Sequence, residues 1–121
     1  MINFALVGCG RISKRHSELL GESQIDGAKL VAVCDTSIEK AALIAEKYDI
    51  PAYQCMHEMM ANNNIDVAVV LTESGLHSKH TVELAPYGAH IMVEKPMALS
   101  LDDADKMINA CDENSVKLFV V

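Results

Sequence analysis

Residues 4–13 read FALVGCGRIS, and this stretch decides the fold class. An apolar run ends in a turn with the spacing G-x-G-x-x-S, formed by Gly8, Gly10 and Ser13. Between a strand and a helix, Gly8 permits a tight turn, and Gly10 lets the backbone approach a pyrophosphate at the amino end of the helix. The stretch therefore predicts a dinucleotide-binding turn. The cofactor contacts predicted in it are Gly8, Gly10, Arg11 and Ile12.

Outward from this turn, apolar runs alternate with stretches of helical periodicity along the whole chain, the pattern of repeated β-α-β units. Strands are predicted at 3–8, 29–35, 52–55, 66–71, 90–94 and 117–121. Helices are predicted at 13–22, 37–48, 57–63, 77–87 and 100–113. The expected fold is α/β, a Rossmann-type doubly wound parallel sheet of about six strands in a three-layer α/β/α arrangement. One such domain covers residues 1–121.

Composition and charge exclude several classes of function. The formal net charge of -7 repels a phosphate backbone or an anionic membrane, so neither nucleic acid nor membrane is an expected partner. The four cysteines lie far apart with no C-x-x-C pair, and no secretory or transit segment is recognised. We therefore expect reduced thiols and a cytoplasmic protein.

Several polar residues have simple structural interpretations. Ser37 and Ser100 are predicted to cap helices, and Pro86 to loosen the end of the fourth helix. His16 is placed either at the pocket or on the surface, and the surface is the favoured interpretation. His77 and His80 have a spacing that can bind a metal, but no third ligand follows, so no metal site is predicted.

Asp35 ends the second predicted strand, at about the distance from the glycine turn where an acidic residue accepts hydrogen bonds from the adenosine ribose. A carboxylate there repels a 2'-phosphate, and Lys40 lies too far along the next helix to compensate. The sequence therefore predicts NAD rather than NADP. The alternative is that Asp35 serves only as a turn or helix-capping residue.

Three motifs together resemble the Gfo/Idh/MocA family of NAD(P)-dependent sugar and cyclitol oxidoreductases, over the whole chain. They are GCGRIS followed by His16, TESGLHSKH at 72–80, and EKPMALS at 94–100. Glu73 stands where the family usually has proline. Within this family, the sequence as a whole most resembles the branch that oxidises the 3-hydroxyl of UDP-N-acetyl-2-amino-2-deoxyglucuronate.

The resemblance implies roles for residues at the carboxyl edge of the sheet. Lys95 is expected to face the reacting hydroxyl beside the nicotinamide, with Glu94 and Pro96 fixing its backbone and the Lys95–Pro96 bond often cis. There its positive charge can stabilise the oxygen as negative charge develops. The alternative for Lys95 is a solvated lysine at a strand end.

The loop after the fourth predicted strand reaches the same edge. Thr72, Ser74 and His77 are therefore predicted to meet the nicotinamide ribose and the pocket edge. A capping turn explains Thr72 and Ser74 almost as well.

The resemblance further implies a sugar or nucleotide-sugar substrate, a catalytic base in a separate carboxyl-terminal domain, and a homo-oligomeric full-length protein. The apolar final strand VKLFVV, residues 116–121, agrees with a chain that continues into that domain. The chain alone is then expected to bind cofactor without turnover. The alternative function is a freestanding NAD-binding redox sensor, which has no need of Glu94-Lys95-Pro96 at the rim. A homoserine dehydrogenase type of enzyme is a more distant alternative.

Overall fold

The computed structural model describes residues 1–121, and they form a single parallel sheet with helices on both faces. The strands are β1 (Ile2–Val7), β2 (Ala28–Cys34), β3 (Ala52–Tyr53), β4 (Val67–Val70), β5 (His90–Val93) and β6 (Leu118–Val120). The helices are α1 (Ser13–Gly21), α2 (Ile38–Tyr48), α3 (Met56–Asn62), α4 (His77–Leu84) and α5 (Leu101–Glu113). Short 3₁₀ turns at Ser74–Leu76 and Ala85–Tyr87 flank α4. Every predicted strand and helix is present.

The strand order is β3-β2-β1-β4-β5-β6, and every neighbouring pair is parallel. This order confirms the predicted Rossmann-type, doubly wound sheet. The chain reverses its direction of winding between β1 and β4. Because ligands of open parallel sheets bind beyond the carboxyl ends of the strands at such a switch point, the turns after β1 and β4 are the expected site.

Each face of the sheet buries its own aliphatic core. A cluster of 17 buried residues lies under α3, α4 and α5 and includes Met59 and Met107. A second cluster of 11 lies under α1 and α2 and includes Leu6 and Val33. Strand β4 is buried along its whole length because helices cover both sides of it. The central strands are therefore packed on both faces, and the loops that form the site begin at the ends of these buried strands.

The helix ends follow the predicted chemistry with one exception. Ser100 accepts a hydrogen bond from the Asp103 backbone N–H at 3.1 Å, which confirms the cap of α5. Pro86 lies in the 3₁₀ turn where α4 ends, as predicted. The predicted cap at Ser37 is wrong, because its hydroxyl donates to the Glu39 carboxylate at 3.2 Å instead of accepting from the helix. The Ser37 backbone N–H donates to the Asp35 carboxylate at 2.8 Å.

None of the helices combines the length and the apolar character that crossing a membrane requires. All four cysteines are free; Cys9, Cys34 and Cys111 are buried, and Cys55 is exposed.

Candidate functional site

The glycine turn lies against the loop after β4, at the switch point of the sheet. Gly8 has a φ of 106°, a conformation that residues with a side chain rarely adopt. A Cβ on Gly8 would lie 2.9 Å from the Leu71 carbonyl carbon and 3.0 Å from the Thr72 nitrogen. A Cβ on Gly10 would meet no atom within 4 Å. Gly8 therefore allows the close approach of two loops, and Gly10 leaves open space beside the turn.

The Asp35 carboxylate accepts hydrogen bonds from the backbone of two different segments. Its Oδ2 accepts from the Cys9 N–H at 2.7 Å, and its Oδ1 accepts from the Ser37 N–H at 2.8 Å. The carboxylate thus links the glycine turn to the start of α2. Since a carboxylate offers about four lone-pair positions, each oxygen can still accept a further hydrogen bond. Asp35 has both a turn-holding role and free acceptor capacity.

A cavity of about 540 Å³ opens between these elements. Its lining includes Gly8, Gly10, Asp35 and Thr72, all of them predicted cofactor contacts. Lys40 also lines this cavity, so the expectation that it lies too far along α2 is wrong. Lys40 lies in the first turn of α2, from which its long side chain reaches the cavity. Cys55 and His57 line the cavity at the start of α3, and neither was predicted as a functional residue.

The loop after β4 is held by two histidines of α4. His77 is 1% exposed, and its ring nitrogens lie 2.9 Å from the Thr72 and Pro96 carbonyl oxygens. His77 does not line the cavity, because its ring is buried between the two loops, and its predicted contact with the cofactor stays a prediction. His80 Nδ1 lies 2.8 Å from Thr72 Oγ1, and His80 lines the cavity. Ser74 belongs to the 3₁₀ turn and does not line the cavity.

Lys95 follows β5 at the same edge of the sheet. Its side chain is exposed and forms no ion pair, and the Lys95–Pro96 peptide bond is cis, as the resemblance implied. Glu94 Oε1 lies 2.8 Å from His16 Nε2, and Glu94 Oε2 accepts from the Lys95 N–H at 3.3 Å. The favoured surface placement of His16 is wrong, because its side chain is only 17% exposed and contacts the rim.

No local signal could have paired His16 with Glu94, because they are 78 residues apart in sequence. Glu94, Lys95 and Pro96 lie outside the lining of the cavity at the glycine turn. Arg11 and Ile12 line a separate, shallower depression of about 370 Å³, together with Lys14 and Arg15. The predicted site residues thus do not share one pocket: they lie at the glycine-turn cavity, at the Arg11 depression and at the Lys95 rim.

Burial shifts the pKa values of three side chains near the glycine turn. Burial, followed by the Asp35 charge, raises the pKa of the Cys9 thiol to about 12. Burial also raises the pKa of Cys34 to about 12. These thiols are poor nucleophiles, so packing explains Cys9 better than catalysis. Burial lowers the pKa of His80. The structure brings no three His, Cys, Asp or Glu side chains together in a group that could hold a metal ion.

A glycine turn at the switch point of a parallel sheet, with a carboxylate at the end of the next strand, defines a dinucleotide-binding α/β domain. The family model described as "Oxidoreductase family, NAD-binding Rossmann fold" (Gfo/Idh/MocA) matches residues 2–121. The chain belongs to this family, as the resemblance of its motifs indicated.

Solved and curated relatives agree. The chain is 42% identical, with a TM-score of 0.93, to the WlbA dehydrogenase from Bordetella pertussis, solved in complex with NADH and UDP-GlcNAcA; 99% of this chain and 36% of that chain are covered. It is 32% identical to myo-inositol 2-dehydrogenase from Thermotoga maritima, over 98% of this chain and 35% of the relative. It is 31% identical to scyllo-inositol 2-dehydrogenase (NADP(+)) from Bacillus subtilis, over 98% and 36%. The chain thus spans about a third of the length of these relatives.

Proposed function

We propose that this chain is the cofactor-binding domain of an enzyme that oxidises a secondary hydroxyl group of a sugar or nucleotide sugar, with NAD preferred over NADP. The observation that carries the proposal is Lys95, an exposed and unpaired cation at the carboxyl end of β5, on the same sheet edge as the glycine turn. A redox sensor has no need of such a group. WlbA and the inositol dehydrogenases support the substrate class.

The residues around the turn fit a dinucleotide. Open space beside Gly10 admits a pyrophosphate near the amino end of α1, and the free lone pairs of Asp35 suit ribose hydroxyls. When bound, the nicotinamide supplies hydride-accepting chemistry. Thr72 lines the cavity beside Gly8 and is proposed to meet the cofactor there.

Lys95 has one electrostatic task in this proposal. As a proton leaves the substrate hydroxyl, negative charge develops on its oxygen, and a nearby ammonium group stabilises that charge. We propose that the proton goes to a base in another part of the full protein. This proposal agrees with the observation that the chain spans only about a third of the length of its relatives. This chain alone is then expected to bind NAD without turnover. We further propose that the full protein is a cytoplasmic homo-oligomer.

The NAD preference depends on the balance between Asp35 and Lys40. Asp35 repels a 2'-phosphate, whereas Lys40 lines the same cavity and attracts one. We propose that Asp35 dominates, because two backbone N–H groups fix it in place while Lys40 has a long, exposed side chain. The NADP-dependent relative shows that the family accommodates both cofactors.

Calorimetric titration of the chain with NAD and with NADP, at one fixed salt concentration, tests the cofactor proposal. We expect NAD to bind at least about tenfold more tightly, and Asp35→Ala to weaken NAD about ten- to a hundredfold. Lys40→Met is the matched control, because it should weaken NADP and leave NAD nearly unchanged. Equal affinities for the two cofactors would contradict the preference, and a folded chain that binds neither would contradict the cofactor site.

A further inference from the structure

The contacts around Lys95 form a chain that begins on α1. His16 Nε2 donates to Glu94 Oε1 at 2.8 Å, since a carboxylate only accepts. The other oxygen of Glu94 accepts from the Lys95 backbone N–H at 3.3 Å. On the far side of Lys95, His77 Nδ1 contacts the Pro96 carbonyl oxygen. Lys95 is therefore bracketed by two histidine contacts, one before it and one after it.

Stability alone gives a weak reason for the His16–Glu94 contact. The two side chains are only 17% and 15% exposed, so forming the pair removes both polar groups from much of their water. Removing polar or charged groups from water offsets much of what such a pair gains, and apolar side chains of similar volume often stabilise a protein as well. What a directional contact adds is a fixed orientation of the carboxylate.

The position of His16 makes that orientation useful. α1 starts at Ser13, immediately after the glycine turn, so His16 moves with the backbone that forms the cofactor cavity. Glu94 immediately precedes Lys95. The contact thus ties the element that holds the dinucleotide to the residue that bears the reactive cation.

We propose that His16 is a positioning residue for Lys95, acting through the Glu94 carboxylate. It fixes Glu94, and Glu94 fixes the backbone from which the Lys95 side chain extends toward the nicotinamide end of the cofactor. The proposal rests on the proposed function, because it assumes that Lys95 faces the bound cofactor. It assigns His16 no contact with substrate or cofactor.

Protection of Lys95 from trace acetylation, with and without NAD, tests this inference on the complete protein without requiring a known substrate. Acetic anhydride labels each lysine, and mass spectrometry compares Lys95 with the exposed reference residues Lys29 and Lys106. With NAD at about 100 times its Kd, we expect at least about fivefold protection of Lys95 in the wild type. We expect less than about twofold protection in His16→Ala at the same fractional saturation.

Two controls separate positioning from damage to the fold. His16→Gln places an amide donor near the original Nε2 position and should restore most of the protection. NAD affinity should change less than about threefold in both variants, since His16 does not line the cavity. Restoration by glutamine at unchanged affinity is a result that a merely structural role does not produce.

The outcomes are distinguishable. Absence of NAD protection in the wild type overturns the placement of Lys95 at the cofactor, and with it both proposals. Full protection in the wild type that persists in His16→Ala overturns the positioning role alone. Loss of protection in His16→Gln as well as in His16→Ala also overturns it, because a donor at that position is then not what matters.

Discussion

The glycine-turn cavity and the Lys95 rim lie on the same edge of the sheet, yet they are held together in different ways. Around the turn, most of the contacts involve backbone atoms. Gly8 packs directly on the loop after β4, and the Asp35 carboxylate accepts hydrogen bonds from two backbone N–H groups. At the rim, side chains from α1 and α4 hold the loops, through His16 on Glu94 and His77 on Pro96.

This difference teaches how the two regions divide the proposed chemistry. A turn held by backbone contacts presents fixed N–H groups, which suits the pyrophosphate that NAD and NADP have in common. A rim held by side chains can be adjusted by single substitutions, which suits a family with different substrates. We therefore expect substitutions at the turn to change stability and cofactor affinity, and substitutions at the rim to change turnover.

The largest effect is expected at the rim, from Lys95→Met in the complete protein. Methionine keeps the length of the side chain and removes its charge, so stabilisation of the developing negative charge is lost. Turnover with NAD and the proposed sugar or nucleotide-sugar substrate should fall by about ten- to a thousandfold, with NAD affinity nearly unchanged. Steady-state kinetics and a calorimetric titration measure the two quantities.

Lys29→Met is the control for this change, because Lys29 is an exposed lysine of β2 outside the cavity lining. It should leave turnover unchanged. If Lys95→Met turned over at the wild-type rate, or if it lost NAD affinity as strongly as turnover, the separation between the two regions would fail.

The next effect tests the turn, with a pair of glycines that differ in their surroundings. Gly8→Ala combines an unfavourable φ with a Cβ pressed against backbone, so the free energy of unfolding should fall by about 2 to 4 kcal/mol. Gly10→Ala should change stability by less than about 0.5 kcal/mol and weaken NAD about tenfold or more, because its Cβ enters the open space beside the turn. Urea unfolding and NAD titration measure both variants.

Gly27→Ala completes this comparison. Gly27 also has a positive φ, 82°, but a Cβ there would meet no atom within 4 Å. It should destabilise the chain by only about 1 kcal/mol. A Gly8→Ala variant no less stable than Gly27→Ala would show that the contact with the β4 loop is not tight.

The same contrast explains what the sequence could predict. The strands, helices and glycine turn depend on periodicity and on residues close together in the chain, so they could be found directly. Asp35 was identified by its spacing from the turn. His16 was misplaced and the burial of His77 was not foreseen, because their partners Glu94 and Pro96 lie 78 and 19 residues away and only the assembled sheet brings them together. Lys40 was misjudged because spacing along a helix does not show how far a lysine side chain reaches.

The smallest expected effect concerns His80, which lines the glycine-turn cavity and contacts Thr72 there. Burial lowers the pKa of His80 from its ordinary value of 6.5; Lys79 and His77 lower it further, and Glu83 partly opposes them. The neutral ring is therefore favoured in the folded chain. The stability that His80 contributes should be present above about pH 6.5 and be lost as the pH falls through the lowered pKa, because the unfolded chain then binds the proton more readily.

The half-buried ring stays in partial contact with water, so this pH dependence should be small. An NMR titration should place the midpoint of His80 below 6.5. His80→Asn, which keeps a polar atom near the position of Nδ1, should reduce the loss of thermal stability on acidification while retaining the contact with Thr72. A midpoint at or above the ordinary value would mean that His80 is more exposed than its position in the cavity wall implies. The loop after β4 would then depend on His77 more than on His80 for its contact with α4.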